Sequence, residues 1–135
     1  MNILIDASAI IPILINEPEK KSIITITNDC ELVAPSILPY EIGNALTRLK
    51  KRKILDDKQV IIAYNDFKKI PLRFLEIDIR NALKIACENL IYAYDAYYLE
   101  IAWRLNLPLL TLDGLMKKIA LNLNIKILER PNESV

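Results

Sequence analysis

Residues 2–8 read Asn-Ile-Leu-Ile-Asp-Ala-Ser: four residues suited to an extended strand, then an acid, then small residues that let the chain turn into an apolar helical segment. A short apolar run closed by a charge is the pattern of a strand buried on both faces. The pattern recurs: residues 31–34 form a second run stopped by Pro35, residues 72–77 a third, residues 108–112 a fourth followed by Asp113, and residues 125–128 a short last one. Between these runs the apolar residues switch to helical spacing. Helices are expected over residues 18–27, closed by Asn28 and Asp29, and over 58–69, with Asp56 and Asp57 as candidate caps. Two more are expected over 79–89, capped by Asp78, and over 115–123. Another starts after Ser36, a good N-cap, and lays Leu38, Ile42, Ala45, Leu46 and Leu49 along one stripe. A further helix starts near Tyr94, with Tyr94, Tyr98, Ile101, Ala102 and Leu105 on one face; Pro12 is expected to kink or shorten the first helix. Strands alternating with helices define an α/β fold, a mainly parallel sheet covered on both faces by right-handed crossovers.

The remaining composition narrows the class. The chain has 135 residues and only two glycines, with no repeat or linker, which fits one domain over residues 1–130 and a tail over 131–135. Its 53% hydrophobic content never builds the run of about 20 apolar residues needed to span a bilayer, and no export signal precedes Asp6. It therefore reads as soluble and cytoplasmic. Cys30 and Cys87 lack ligand spacing and read as buried free thiols. A net charge of +1 excludes a generally basic nucleic-acid coat. The densest basic run, residues 50–53, is read first as the cationic complement to a helix C-terminus. The apolar excess points to a homodimer interface.

Four acids carry the chemical signal. Asp6 and Asp113 end strands, and in open parallel sheets the ligand crevice lies beyond the carboxyl ends of the strands, where strand order reverses. Glu41 and Asp95 each flank the apolar stripe of a helix, so all four are expected to face the sheet. Singly, each has an ordinary explanation as a cap or a solvated side chain. Together, four carboxylates in one pocket repel one another unless a cation neutralises them. With no histidine and no cysteine pair, that cation is a hard divalent one, which points to chemistry on phosphate esters.

These acids and their neighbours, Ile-Asp6-Ala-Ser8-Ala, Pro35-Ser36 leading to Glu41 and Asn44-Ala-Leu, Tyr94-Asp95-Ala-Tyr-Tyr, and Leu-Thr111-Leu-Asp113, resemble the PIN-domain ribonucleases. Among these the chain looks most like the compact VapC toxins of toxin-antitoxin pairs, from Met1 to about Glu129. The resemblance implies a three-layer α/β/α sandwich and Mg²⁺-dependent (or Mn²⁺-dependent) cleavage of RNA by Asp6, Glu41, Asp95 and Asp113. It also implies metal ligation by Asp6, Asp95 and Asp113, with Ser8, Asn44 and Thr111 supporting the site. Glu41 is left as either a water-mediated ligand or the residue that orients the nucleophile. Lys117 stands where some relatives carry another acid. A VapB-type antitoxin, inserting a helix into a groove, is the implied partner.

The same residues admit rival readings. An RNA-processing PIN nuclease without a toxin role shares every motif. A phosphoacceptor receiver domain fits poorly, since Asp6 stands alone after the first strand, Asp78 is a doubtful acceptor and Lys126 falls within the last strand. A phosphatase with an Asp nucleophile would need a second acid where Ser8 stands. Of the aromatic residues, Tyr94 and Tyr98 are assigned to packing and Tyr97 and Trp103 to a subunit contact, in preference to base stacking.

Overall fold

The central strand is β1 (Asn2–Ile5), whose Ile3, Leu4 and Ile5 are buried at successive positions. Neighbouring strand residues point to opposite faces, so both faces of β1 are covered. At roughly 1.5–3 kcal/mol for each fully buried aliphatic side chain, this triplet alone contributes on the order of 5 kcal/mol. A computed structural model describes residues 1–129. The expected boundary at 130 and the tail over 131–135 lie outside these.

β1 pairs in parallel with β2 (Glu31–Pro35) on one side and with β4 (Leu109–Leu110) on the other, and β2 pairs in parallel with the edge strand β3 (Leu72–Leu75). The order β3-β2-β1-β4 reverses between β1 and β4. The crevice expected at that reversal therefore opens beside the ends of those two strands. The expected fifth strand over 125–128 is reduced to one parallel bridge, Ile127 with Leu109, and β4 is two residues long rather than five.

Seven helices flank the four-stranded parallel sheet among the described residues, as expected for α/β. They are α1 (Ala7–Leu14), α2 (Lys20–Thr27), α3 (Leu38–Lys51), α4 (Asp57–Lys68), α5 (Ile79–Asn89), α6 (Ala93–Leu105) and α7 (Gly114–Asn122). The caps explain most of their starts. Asp6 and Asp113 cap α1 and α7 through their carboxylates, Asp78 caps α5, and Asp56 closes a capping box with Gln59 on α4. Ser36 does not cap α3. That helix starts at Leu38 after Ile37, without a side-chain cap, and Pro39 occupies its first turn, where no intrahelical donor is needed.

Three further expectations are corrected. Cys30, in the turn between α2 and β2, is half-buried, and Cys87, on α5, is exposed. Tyr98 is buried, but Tyr94, one turn earlier, is exposed, because it lies in the first turn of α6 and borders an open cleft. No helix among the described residues is long and apolar enough to cross a membrane.

Candidate active site

Asp6 leaves β1 as a buried residue, and four groups act on it. The Ser8 hydroxyl donates to its Oδ1 at 2.7 Å, the Ala9 amide to the same oxygen at 3.3 Å, and the Thr111 hydroxyl to Oδ2 at 2.6 Å. The fourth is Asp113, whose charge acts on it from across the β1/β4 reversal. A carboxylate oxygen has two lone pairs, so Oδ1 is filled while Oδ2 keeps one free. Ser8 and Thr111 each have one hydroxyl proton, and both are spent on Asp6. Their mutual 3.1 Å contact is therefore not a second strong bond. Their own lone pairs take the Leu112 amide (2.8 Å to Ser8) and the Asp113 amide (3.1 Å to Thr111), which ties the loop after β4 to β1. Despite three hydrogen bonds, burial pushes the Asp6 pKa up to about 6.

Asp113 is held on the same loop, where its Oδ1 accepts from the Leu115 and Met116 amides at 2.9 and 3.2 Å. Glu41, in the first turn of α3, has an Oε1 that is buried without a hydrogen-bond partner. The Tyr98 hydroxyl is likewise buried and unpartnered. The two fall short of hydrogen-bond geometry but lie near enough to perturb each other. Burial raises the Glu41 pKa to about 7 against the opposing Tyr98 hydroxyl, and burial together with Glu41 pushes the Tyr98 phenol far above its ordinary value. Asp95, in the first turn of α6, is raised by burial and by Asp113.

The four carboxylates form a closed circuit of repulsion: Asp6 with Asp113, Asp113 with Asp95, Asp95 with Glu41, and Glu41 with Asp6. The fold thus brings each of the four within electrostatic reach of two others. Among the described residues, no three Asp, Glu, His or Cys side chains stand close enough to form a ligand shell. The donor set nevertheless fits a hard cation, since it is all oxygen, carries excess negative charge, and includes the orphaned Glu41 Oε1 and the free lone pair on Asp6 Oδ2.

Glu41 and Asp95 open onto a cleft of about 520 Å³, which Asn44 and Arg48 of α3 also line. Asn44 contributes its exposed face and makes no hydrogen bond to the acids. The expected supporting residues Ser8 and Thr111 are thus joined to Asp6, and Asn44 is set apart on the cleft wall. Sequence reasoning missed the coupling of Tyr98 to Glu41. Helical spacing could place Tyr98 inside, but not over Glu41 of another helix. It passed over Tyr40 and set packing above base stacking for the other aromatic residues, whereas Tyr40, Tyr92 and Tyr94 all stand exposed at the cleft.

A PIN domain profile matches residues 3–122. The chain belongs to the PIN domain family, whose members are generally nucleases. No curated protein matches it. Among solved structures it is similar to PAE2754 from Pyrobaculum aerophilum (TM-score 0.67, 21% identity, 92% of this chain and 90% of that one). It is also similar to VapBC2 from Rickettsia felis, solved bound to a DNA fragment from their promoter (0.64, 13%, 95% and 98%). FitAcB from Neisseria gonorrhoeae is a third likeness (0.62, 17%, 94% and 96%). At these identities the likeness is one of fold.

Proposed function

We propose that this chain is a Mg²⁺- or Mn²⁺-dependent endoribonuclease acting in the cytoplasm as the toxin of a VapBC-type pair. The observation that carries the reading is the closed circuit of four mutually repelling carboxylates, with Glu41 Oε1 buried and unpartnered, beside the β1/β4 reversal. A fold gains no stability from such a circuit, so a ligand of opposite charge is its reason.

Asp6, Asp95 and Asp113 would hold the cation, with Ser8 and Thr111 fixing Asp6 so that the free lone pair on Oδ2 serves as donor. When bound, the cation supplies acidification of water and neutralisation of charge on the phosphate. The Glu41 carboxylate, on the cleft wall, would either bind the cation through water or orient the attacking water. Hydrolysis would leave a 5′ phosphate and a 3′ hydroxyl.

A homodimer and a small antitoxin protein are the proposed partners. Exposed Ile61 and Ile62 on α4 are apolar surface of the kind that interfaces cover. The likeness of the fold to VapBC2 and FitAcB supports the toxin role. The test is cleavage of a pool of structured RNAs with Mg²⁺, with Mn²⁺ and with EDTA. Cleavage with either metal and none with EDTA is expected; no cleavage with either, or full cleavage in EDTA, overturns the reading.

A further inference from the structure

Three tyrosines stand around the acidic cleft with their rings in solvent: Tyr40 is 80% exposed, Tyr92 85% and Tyr94 59%. Exposed aromatic residues scattered singly need no explanation, but three on the wall of one cleft do. They come from two elements. Tyr40 precedes Glu41 on α3; Tyr92 is the N-cap of α6, and Tyr94 precedes Asp95. Each side of the cleft thus pairs a stacking ring with a carboxylate one residue later. The Tyr94 ring is braced edge-on by Tyr97, with centroids 5.9 Å apart and planes at 85°. This contact limits the orientation of a ring that is still more than half exposed.

The cations lie on the same wall. Tyr40, Asn44, Arg48 and Arg52 follow one another at four-residue intervals along α3 and its C-cap. Each interval advances about 6 Å along the axis, comparable with the step between phosphates of an extended strand. Arg48 lines the cleft and, together with Arg52, the adjoining groove beside α1. Neither arginine enters an ion pair among the described residues. The cleft thus offers rings beside the acids, with guanidinium groups leading away from them.

We propose that Tyr40, Tyr92 and Tyr94 stack the unpaired bases flanking the scissile phosphate, and that Arg48 and Arg52 carry the departing backbone. This inference rests on the nuclease reading and names the residues through which that site selects its strand. Stacking accepts any base, because each has a π-face, so the clamp selects for single-strandedness rather than for sequence. It also explains how an acidic hollow holds a polyanion, since the bases supply attraction where the phosphates meet carboxylates.

The test is equilibrium binding in EDTA, where hydrolysis does not intervene, of an unstructured oligoribonucleotide and of the same oligomer with abasic sites. Tyr40→Ala, Tyr92→Ala and Tyr94→Ala are each expected to weaken the base-bearing oligomer roughly tenfold and to leave the abasic one unaffected. Tyr→Phe at the same positions should restore binding, because the ring remains. Arg48→Ala should weaken both oligomers and lower the slope of log K against log salt by about one. Wild-type affinity in all three tyrosine variants, or equal losses for both oligomers, would overturn the clamp and leave the rings to a protein partner. Failure of the nuclease reading would be seen separately, as absence of hydrolysis with either metal while the binding results stand.

Discussion

At the scale of residues, the free energy at issue is that of keeping carboxylates buried and near one another. Asp6 and Glu41 have folded pKa values of about 6 and about 7, above their ordinary 3.8 and 4.5. Across that interval the folded protein binds protons that the unfolded chain has already lost, so stability falls as pH rises from about 4 to 7. For Asp6 the loss is on the order of 3 kcal/mol; Glu41 adds less, being partly open to solvent. In EDTA the melting temperature should therefore be lower at pH 8 than at pH 5, and Mg²⁺ should recover it at pH 8. A flat profile would refute the buried repulsion. Asp6→Asn removes the charge and keeps the shape; of the Ser8 and Thr111 hydroxyls, one can go on donating to the amide oxygen while the other turns to accept from the amide nitrogen. RNA cleavage should fall at least about 100-fold, while the EDTA melting temperature at pH 8 stays at or above wild type. Tyr98→Phe deletes an unpartnered buried hydroxyl and should cost little stability at pH 5, where the folded Glu41 is protonated, as a urea titration would show. It also removes the group that opposes the burial of Glu41, so the Glu41 carboxyl should titrate above wild type by NMR in EDTA.

At the scale of elements, α6 matters most, because it carries Asp95 and Tyr98 and also a second buried acid with a different purpose. Glu100 is fully buried and accepts from the Asp78 amide at 2.8 Å and from Arg104 Nε at 2.6 Å, while Arg104 also donates to the Glu76 carbonyl. This knot fastens α6 to the turn between β3 and α5. Glu100→Ala leaves a donor on each side without its acceptor and should lower stability by roughly 3 kcal/mol by urea unfolding. Glu100→Gln, which keeps an acceptor for Asp78, should cost less; equal losses would show that volume rather than hydrogen bonding is what Glu100 supplies. The basic run after α3 has a local use as well: Lys50 and Lys51 lie in the last turn, and Lys50 pairs with Asp57 at 2.7 Å across the turn to α4. That pair is exposed and contributes little.

At the scale of the whole molecule, the strand order β3-β2-β1-β4 makes an active site possible by setting the ends of β1 and β4 side by side. Asp6 and Asp113 are 107 positions apart in the chain, yet they are linked through Thr111, which donates to one and accepts from the backbone amide of the other. Thr111→Val should loosen both together, and its measured sign is weaker retention of Mn²⁺ by equilibrium dialysis. Unchanged retention would mean that the hydroxyl only fills space. Exposed apolar residues on α4 place the proposed dimer in reach of a direct measurement: light scattering should give twice the mass of one chain.

Much of this was legible in the chain itself. Runs such as Asn-Ile-Leu-Ile before Asp6 and Leu-Leu-Thr-Leu before Asp113 specify parallel strands, and Asp56, Asp78 and Asp113 announce their helices, because backbone preference and capping act over a few residues. The positions of the four acids followed from the same local logic. What no local rule contains is which surfaces meet. Burial of Tyr98 against Glu41, exposure of Tyr94 one turn away and reduction of the last strand to a single bridge were all decided by packing. Desolvation and Coulomb energy depend on distances between segments far apart in sequence, and only the folded chain sets those distances.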